Sequence, residues 1–101
     1  MVNFRVLIDE EALEFLENLP EKSIKLAKRK LRNLEDDPFP GKGGDKELLS
    51  YPRQRELYRF HISRSYTAFF KIMTDEKTVL ILWLGTIEQA HKLYGRFKKL
   101  E

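Results

Sequence analysis

Between Leu57 and Gly85 the chain reads LYRFHISRSYTAFFKIMTDEKTVLILWLG, three apolar-rich runs parted by two short polar breaks. No other stretch limits the fold so tightly. In the first run Tyr58, Phe60 and Ile62 alternate with Arg59, His61 and Ser63; in the second Tyr66, Ala68, Phe70 and Ile72 alternate with Thr67, Phe69 and Lys71. Side chains alternate across a strand, so each run presents one greasy face and one carrying Arg59, His61 and Lys71. The third run, Thr78–Leu84, is apolar at nearly every position, as expected of a strand covered on both sides. Arg64-Ser65 and Thr74–Lys77 fall where hairpin turns belong. The centre of the molecule is therefore expected to be a three-stranded antiparallel meander with one basic face.

The flanking segments supply layers for that sheet. Asn3–Ile8 alternates Phe4, Val6 and Ile8 with Asn3 and Arg5, which predicts a first strand. Asp9 stands where a helix N-cap belongs, with acidic residues behind it that suit the positive end of a helix dipole. Ala12, Leu13, Leu16 and Leu19 hold helical spacing until Pro20, which ends one helix and opens the next. The second helix, predicted over Glu21–Glu35, lines up Ile24, Ala27, Leu31 and Leu34. Lys22, Lys25, Lys28, Arg29, Lys30 and Arg32 fill much of its remaining surface. These helices should form a hairpin over the greasy sheet face.

Asp37–Asp45, DPFPGKGGD, is a loop by composition, and lacks the residue order of a phosphate-binding loop around Lys42. Leu48, Leu49 and Tyr51 are expected to pack down before Pro52. After Gly85, the residues Ile87, Ala90, Leu93 or Tyr94, and Phe97 predict a last helix. Thr86 and Gln89 sit at capping-box spacing at its start. The expected architecture is α+β: a four-stranded antiparallel sheet, an N-terminal helical hairpin on one face, and a short C-terminal helix, in the order β-α-α-β-β-β-α.

A chain of 101 residues with 42% apolar and 35% charged residues reads as one domain, 1–101. No apolar run approaches the length of a membrane span, no secretion signal opens the chain, and cysteine is absent. A cytoplasmic protein without disulfides or thiolate metal sites is expected. The net charge of +3 is unevenly spread. Residues 1–50 hold nine Lys/Arg against eleven Asp/Glu, residues 51–101 ten against five. Cations gathered in the half that forms the sheet are suited to a polyanion, or simply to solvent.

Several pieces together resemble the RelE/ParE superfamily of bacterial and archaeal toxins, over essentially the whole chain. They are Gly44-Asp45-Lys46-Glu47-Leu48 before the sheet, Leu57-Tyr58-Arg59-Phe60-His61-Ile62, Ser65-Tyr66-Thr67 at the next hairpin, Leu84-Gly85, and Tyr94 a turn or two later. The resemblance implies the toxin of a type II toxin–antitoxin system, neutralised by a small acidic antitoxin. Its RelE branch inhibits translation as an mRNA interferase, an endoribonuclease that cuts mRNA in the ribosome. Its ParE branch poisons DNA gyrase and is no nuclease. Arg59 and His61 match two basic strand positions of RelE-type nucleases, and Tyr94 approximately matches their C-terminal tyrosine. Thr67 and Ile87 stand where two further arginines are usual, which leaves open a ParE-like target or a weakened binding module.

RNA cleavage by attack of the 2′-hydroxyl needs a proton acceptor, positive charge for the developing phosphorane and an acid for the leaving 5′-oxygen. It requires neither metal nor cofactor. Histidine suits the first or last role at neutral pH, arginine the second, and tyrosine can stack on a base. The expected catalytic set is Arg59, His61 and Tyr94, with Arg55, Arg64 and Lys71 binding RNA phosphates. His91, Phe69 and Trp83 are assigned to surface and packing roles. Leu7, Phe69 and one side of the Val79–Leu84 strand are expected to remain uncovered on the outer sheet face, as a docking surface for the antitoxin.

Overall fold

The computed structural model describes residues 3–41, 46–49 and 57–99, without the side chains of residues 49 and 94–99. Five strands, β1 (Arg5–Ile8), β2 (Lys46–Leu49), β3 (Leu57–His61), β4 (Tyr66–Met73) and β5 (Thr78–Thr86), form one sheet in the spatial order β1-β5-β4-β3-β2. Helices α1 (Glu10–Glu17) and α2 (Glu21–Arg32) follow β1, and α3 (Ile87–Lys99) follows β5. A 3-10 turn, Asn33–Glu35, extends α2, so the helix predicted through Glu35 ends in a tightened turn.

Two features correct the expected sheet. It has five strands rather than four, and it is mixed rather than purely antiparallel. β2 through β5 form the antiparallel meander, whereas β1 runs parallel to β5, Arg5 opposite Thr78 and Ile8 opposite Ile81. The reason is connectivity. The α1–α2 hairpin carries the chain from one edge of the sheet to the other, and the meander then returns strand by strand until β5 lies beside β1. β2 follows the expected loop, in residues for which no strand was expected. It is a four-residue edge strand, and its Leu48 is 50% exposed instead of packed down. Leu49's side chain and Tyr51 lie outside the described residues.

Alternation in β3 and β4 sorts the two faces as their sequences demand. Phe60, Ile62, Ala68, Phe70, Ile72, Val79 and Ile81 join Ala12, Leu16, Ala27, Leu31 and Leu34 of the hairpin in the main core. Tyr58 stacks on Phe70 with centroids 5.3 Å apart, and Phe60 meets the same ring edge-on at 6.3 Å. Asp9 caps α1, its carboxylate accepting from the Glu11 N–H at 3.2 Å. Pro20 precedes α2 with extended backbone, φ −56° and ψ 150°, so the two helices break where proline dictates.

The opposite face is covered in part by α3. Ala90 packs with Leu57 and Phe69, and Leu82, Trp83 and Leu93 border them. Phe69 is therefore buried by the chain's own C-terminal helix, against the expectation that it stays uncovered; Leu7 does remain exposed. A bulge makes this possible: Phe69 pairs with Trp83 and Phe70 with Ile81, leaving Leu82 as the extra residue. Trp83 then lies along Gly85, where an added Cβ would come within 2.5 Å of the indole. No helix among the described residues is long and apolar enough to cross a membrane.

Candidate active site

On β3, Arg59 and His61 alternate with Tyr58 and Phe60, whose rings belong to the hairpin-side core. Both cationic candidates therefore project from the other face, two residues apart on one strand. Pairing across the sheet builds their surroundings. Arg59 lies opposite Glu47 of β2 on one side and Phe69 of β4 on the other, and His61 lies opposite Thr67. Cross-strand partners share a face, so Leu57, Arg59, His61, Thr67, Phe69 and Lys71 all belong to the outer surface.

The Arg59 guanidinium donates from Nη2 to Glu47 Oε2 in an ion pair. The arginine side chain is only 22% exposed, whereas Glu47 is half open to water. A cation packed against Phe69's strand is thus held in place, and its carboxylate partner sits on the exposed sheet edge. Sequence reading gave Glu47 no role. The residue stood in a recognised motif, but no local pattern showed that Lys46–Leu49 would pair with β3 and bring a carboxylate against Arg59.

Lys71 is half-buried on the same face, diagonal to Arg59 across the β3–β4 pair, a relation that puts side chains roughly 7–8 Å apart at their bases. Arg64 is exposed at the tip of the β3–β4 hairpin, in a turn whose Ser63 Oγ accepts from the N–H groups of Ser65 and Tyr66. It belongs to the strand's far end and not to the Arg59 cluster. Arg55 lies outside the described residues. Tyr94 belongs to α3 by its backbone, and its side chain lies outside them as well. His91 is exposed on α3.

Two positions that lack arginine are accounted for by packing. Thr67 is fully buried, and its hydroxyl donates to the Phe60 carbonyl at 2.9 Å, so it is a structural residue of the β3–β4 ladder. Ile87 opens α3, and its N–H donates to the Ser65 carbonyl at 3.0 Å, tying the helix start to the hairpin tip. Thr86 and Gln89 form the reciprocal capping box, with contacts of 2.9 and 3.1 Å.

This order of elements, with the crossing hairpin and the returning meander, recurs among solved structures. The archaeal RelE in its RelE–RelB complex from Pyrococcus horikoshii superposes with a TM-score of 0.71 at 24% identity, covering 83% of this chain and 94% of that one. The chain has the RelE/ParE toxin fold. A variant of the E. coli toxin RelE in the free state gives a TM-score of 0.69 at 22% identity over 98% of this chain and 97% of that one. A YoeB/ParE toxin from Agrobacterium tumefaciens gives 0.66 at 13% identity, over 82% and 98%. At the level of sequence, no family model and no curated protein matches the chain. Within the RelE/ParE fold seen here, the outer sheet face between the β2 edge and α3 is where Glu47, Arg59, His61 and Lys71 gather.

Proposed function

We propose that this protein is the toxin of a type II toxin–antitoxin pair, and that it inhibits translation by cutting mRNA in the ribosome without a metal or cofactor. One observation carries the reading: Arg59 and His61 stand together on the sheet face opposite the hairpin, with the Glu47 carboxylate on the arginine. These are the three chemical types that transesterification of RNA requires. An arriving phosphate competes with Glu47 for the Arg59 guanidinium, since both offer a pair of oxygens to its fork. Glu47, displaced but adjacent, accepts the proton of the 2′-hydroxyl as that oxygen attacks phosphorus. Arg59, assisted by Lys71, stabilises the charge of the phosphorane. His61 acts as the acid that protonates the departing 5′-oxygen, leaving a 2′,3′-cyclic phosphate and a free 5′-hydroxyl. Tyr94 is assigned to stacking on a base, and Arg55 and Arg64 to the flanking phosphates.

Primer extension on translated mRNA compares wild type with the Arg59→Ala/His61→Ala double variant. Cleavage by wild type that disappears in the variant supports the proposal; the same cleavage pattern in both would sink it. A small acidic antitoxin is the expected partner, and several solved relatives are complexes with the antitoxin RelB. The exposed Leu7 on the β1 edge strand is apolar surface it would cover.

A second reading is favoured by Thr67. Where the resemblance implies an arginine, this chain has a buried hydroxyl bonded to backbone, which removes one cation from the face. A ParE-like toxin acting on gyrase fits that loss. Inhibition of supercoiling without mRNA cleavage would establish it in place of the nuclease.

A further inference from the structure

The two helices of the hairpin carry opposite charge. α1, with its cap, holds Asp9, Glu10, Glu11, Glu14 and Glu17 and no cation, whereas α2 holds six cations and one glutamate. On α2, Lys22, Lys25, Lys28, Arg29 and Arg32 are all exposed. Their spacing keeps them within about a third of the helix circumference, on one flank of the stripe formed by Ile24, Ala27 and Leu31. The row runs for about 15 Å, at the helical rise of about 1.5 Å per residue.

Helix stability does not account for this row. Neighbours three or four apart, such as Lys25 and Arg29 or Lys28 and Arg32, repel each other. Lys22 and Lys25 sit in the opening turns, where the helix dipole favours anions. Only Arg29, Lys30 and Arg32, in the last turn, have the dipole on their side. Within the described ion pairs, the row's one partner is Glu21, 3.5 Å from Lys25 with both side chains about four-fifths exposed, a contact that water screens.

We propose that this face of α2 is a second nucleic-acid surface, taking the phosphate backbone of a double-helical RNA segment on the side of the molecule away from Arg59. The α2 row and the Arg59 face lie on opposite sides of the sheet, in a body whose smallest extent is 28 Å. One phosphate chain cannot lie flat on both, so the protein would bridge two RNA elements. The chemistry of the row selects its occupant. A single strand needs aromatic platforms for its bases, and α2 has no aromatic residue. A docked protein wants apolar anchors, and lysine is depleted from protein interfaces. Cations stepping by one helical turn, on a rigid helix, offer a line of positive charge to the dense phosphate charge of a duplex. The choice of RNA over DNA rests on the function proposed above; the polyanion surface does not.

Fluorescence anisotropy with a labelled RNA duplex, titrated over a range of salt, tests this on the intact chain. The Lys25→Gln/Lys28→Gln/Arg29→Gln/Arg32→Gln variant should weaken binding at least tenfold. It should also flatten the slope of log K against log salt by about 3.5, at a little under one unit for each phosphate no longer neutralised. Arg59→Gln should leave that slope unchanged, because a duplex held on α2 does not reach the opposite face. Neutralising α1 instead, with Glu10→Gln/Glu14→Gln/Glu17→Gln, should leave the slope unchanged. An unchanged slope in the α2 variant overturns the proposal, as does an equal and opposite change in the α1 variant, which would mean that only net charge matters. Tighter wild-type binding to a DNA duplex overturns the assignment to RNA. Loss of binding to a labelled polyglutamate peptide with an unchanged RNA slope overturns it in favour of an acidic protein. Matching circular-dichroism melts establish that the variants fold, and a milder Lys28→Glu reversal repeats the slope measurement should the quadruple variant melt early. These results are independent of whether Arg59 and His61 cleave RNA, which primer extension decides separately.

Discussion

The two faces of the sheet are made from the same strands and do opposite work. Toward the hairpin, Phe60, Ala68, Phe70, Ile72, Val79 and Ile81 are closed beneath α1 and α2, with no charged side chain among the buried residues of that core. Toward α3, the buried apolar cluster is Leu57, Phe69 and Ala90, and beside it stand Glu47, Arg59, His61 and Lys71 with access to water. Among the described residues, one face is closed, while the other is covered only in part. Period-two alternation thus assigns stability to one side and the polar, charged groups of the proposed site to the other, and substitutions on neighbouring residues of one strand should separate the two properties.

The largest effect should come from Phe70→Ala. The ring is fully buried and contacts both Tyr58 and Phe60. Removing it leaves a cavity, a change that typically costs about 3–5 kcal/mol. That is a large part of the roughly 5–15 kcal/mol that holds a small domain folded. Urea unfolding should show the midpoint fall accordingly. A loss under about 1 kcal/mol would mean that the hairpin-side core can collapse around the gap, and the contrast between the faces would fail.

Arg59→Gln should do the reverse. Its ion pair with half-exposed Glu47 is of the kind worth about 0–1 kcal/mol, so the unfolding midpoint should barely move. Cleavage of translated mRNA should fall by about 10²–10³, the usual consequence of removing one group that stabilises charge in a transition state. A variant that loses stability and activity together would make Arg59 a structural residue.

Gly85→Ala probes the boundary between the faces. A methyl group there meets the Trp83 ring at 2.5 and 2.6 Å and the Gln89 amide oxygen at 2.7 Å. The indole must shift, which disturbs its 5.2 Å ring contact with Phe69. Overpacking of this kind costs about 1–3 kcal/mol, and tryptophan fluorescence reports the displaced ring directly. An unaltered emission spectrum with unchanged stability would show that Trp83 is not held against Gly85.

How much of this was legible in the sequence follows from the range of the interactions. The meander was readable because its information is local: alternation in β3 and β4, an unbroken apolar run in β5, and polar turns between them. The Asp9 cap, the Pro20 break and the Thr86–Gln89 box span four residues or fewer and were equally plain. The parallel pairing of β1 with β5 joins residues more than 70 positions apart, Arg5 with Thr78, and carries no local mark. β2 was concealed for another reason. Lys-Glu-Leu-Leu has helix-forming composition, and as an edge strand with Leu48 half exposed it shows no alternation of apolar and polar residues. The site inherited that omission. Arg59 and His61 could be placed from alternation alone, whereas Glu47 became visible only once β2 was known to pair with β3.

The smallest effect expected is also the most local. Thr86→Ala removes the hydroxyl that accepts the Gln89 N–H at 3.1 Å and unbalances the box in which Gln89 returns a bond to the Thr86 N–H. Losing an N-cap costs about 1 kcal/mol. In the hairpin the same loss would be shared with a closed core. α3 instead rests on the thin layer of Leu57, Phe69 and Trp83, so its start should fray while the sheet stays folded. Hydrogen exchange should therefore quicken in α3 and remain slow in β4 and β5. Uniform acceleration throughout the chain would show that α3 and the hairpin-side core unfold as one unit, and that the two faces are less independent than their packing implies.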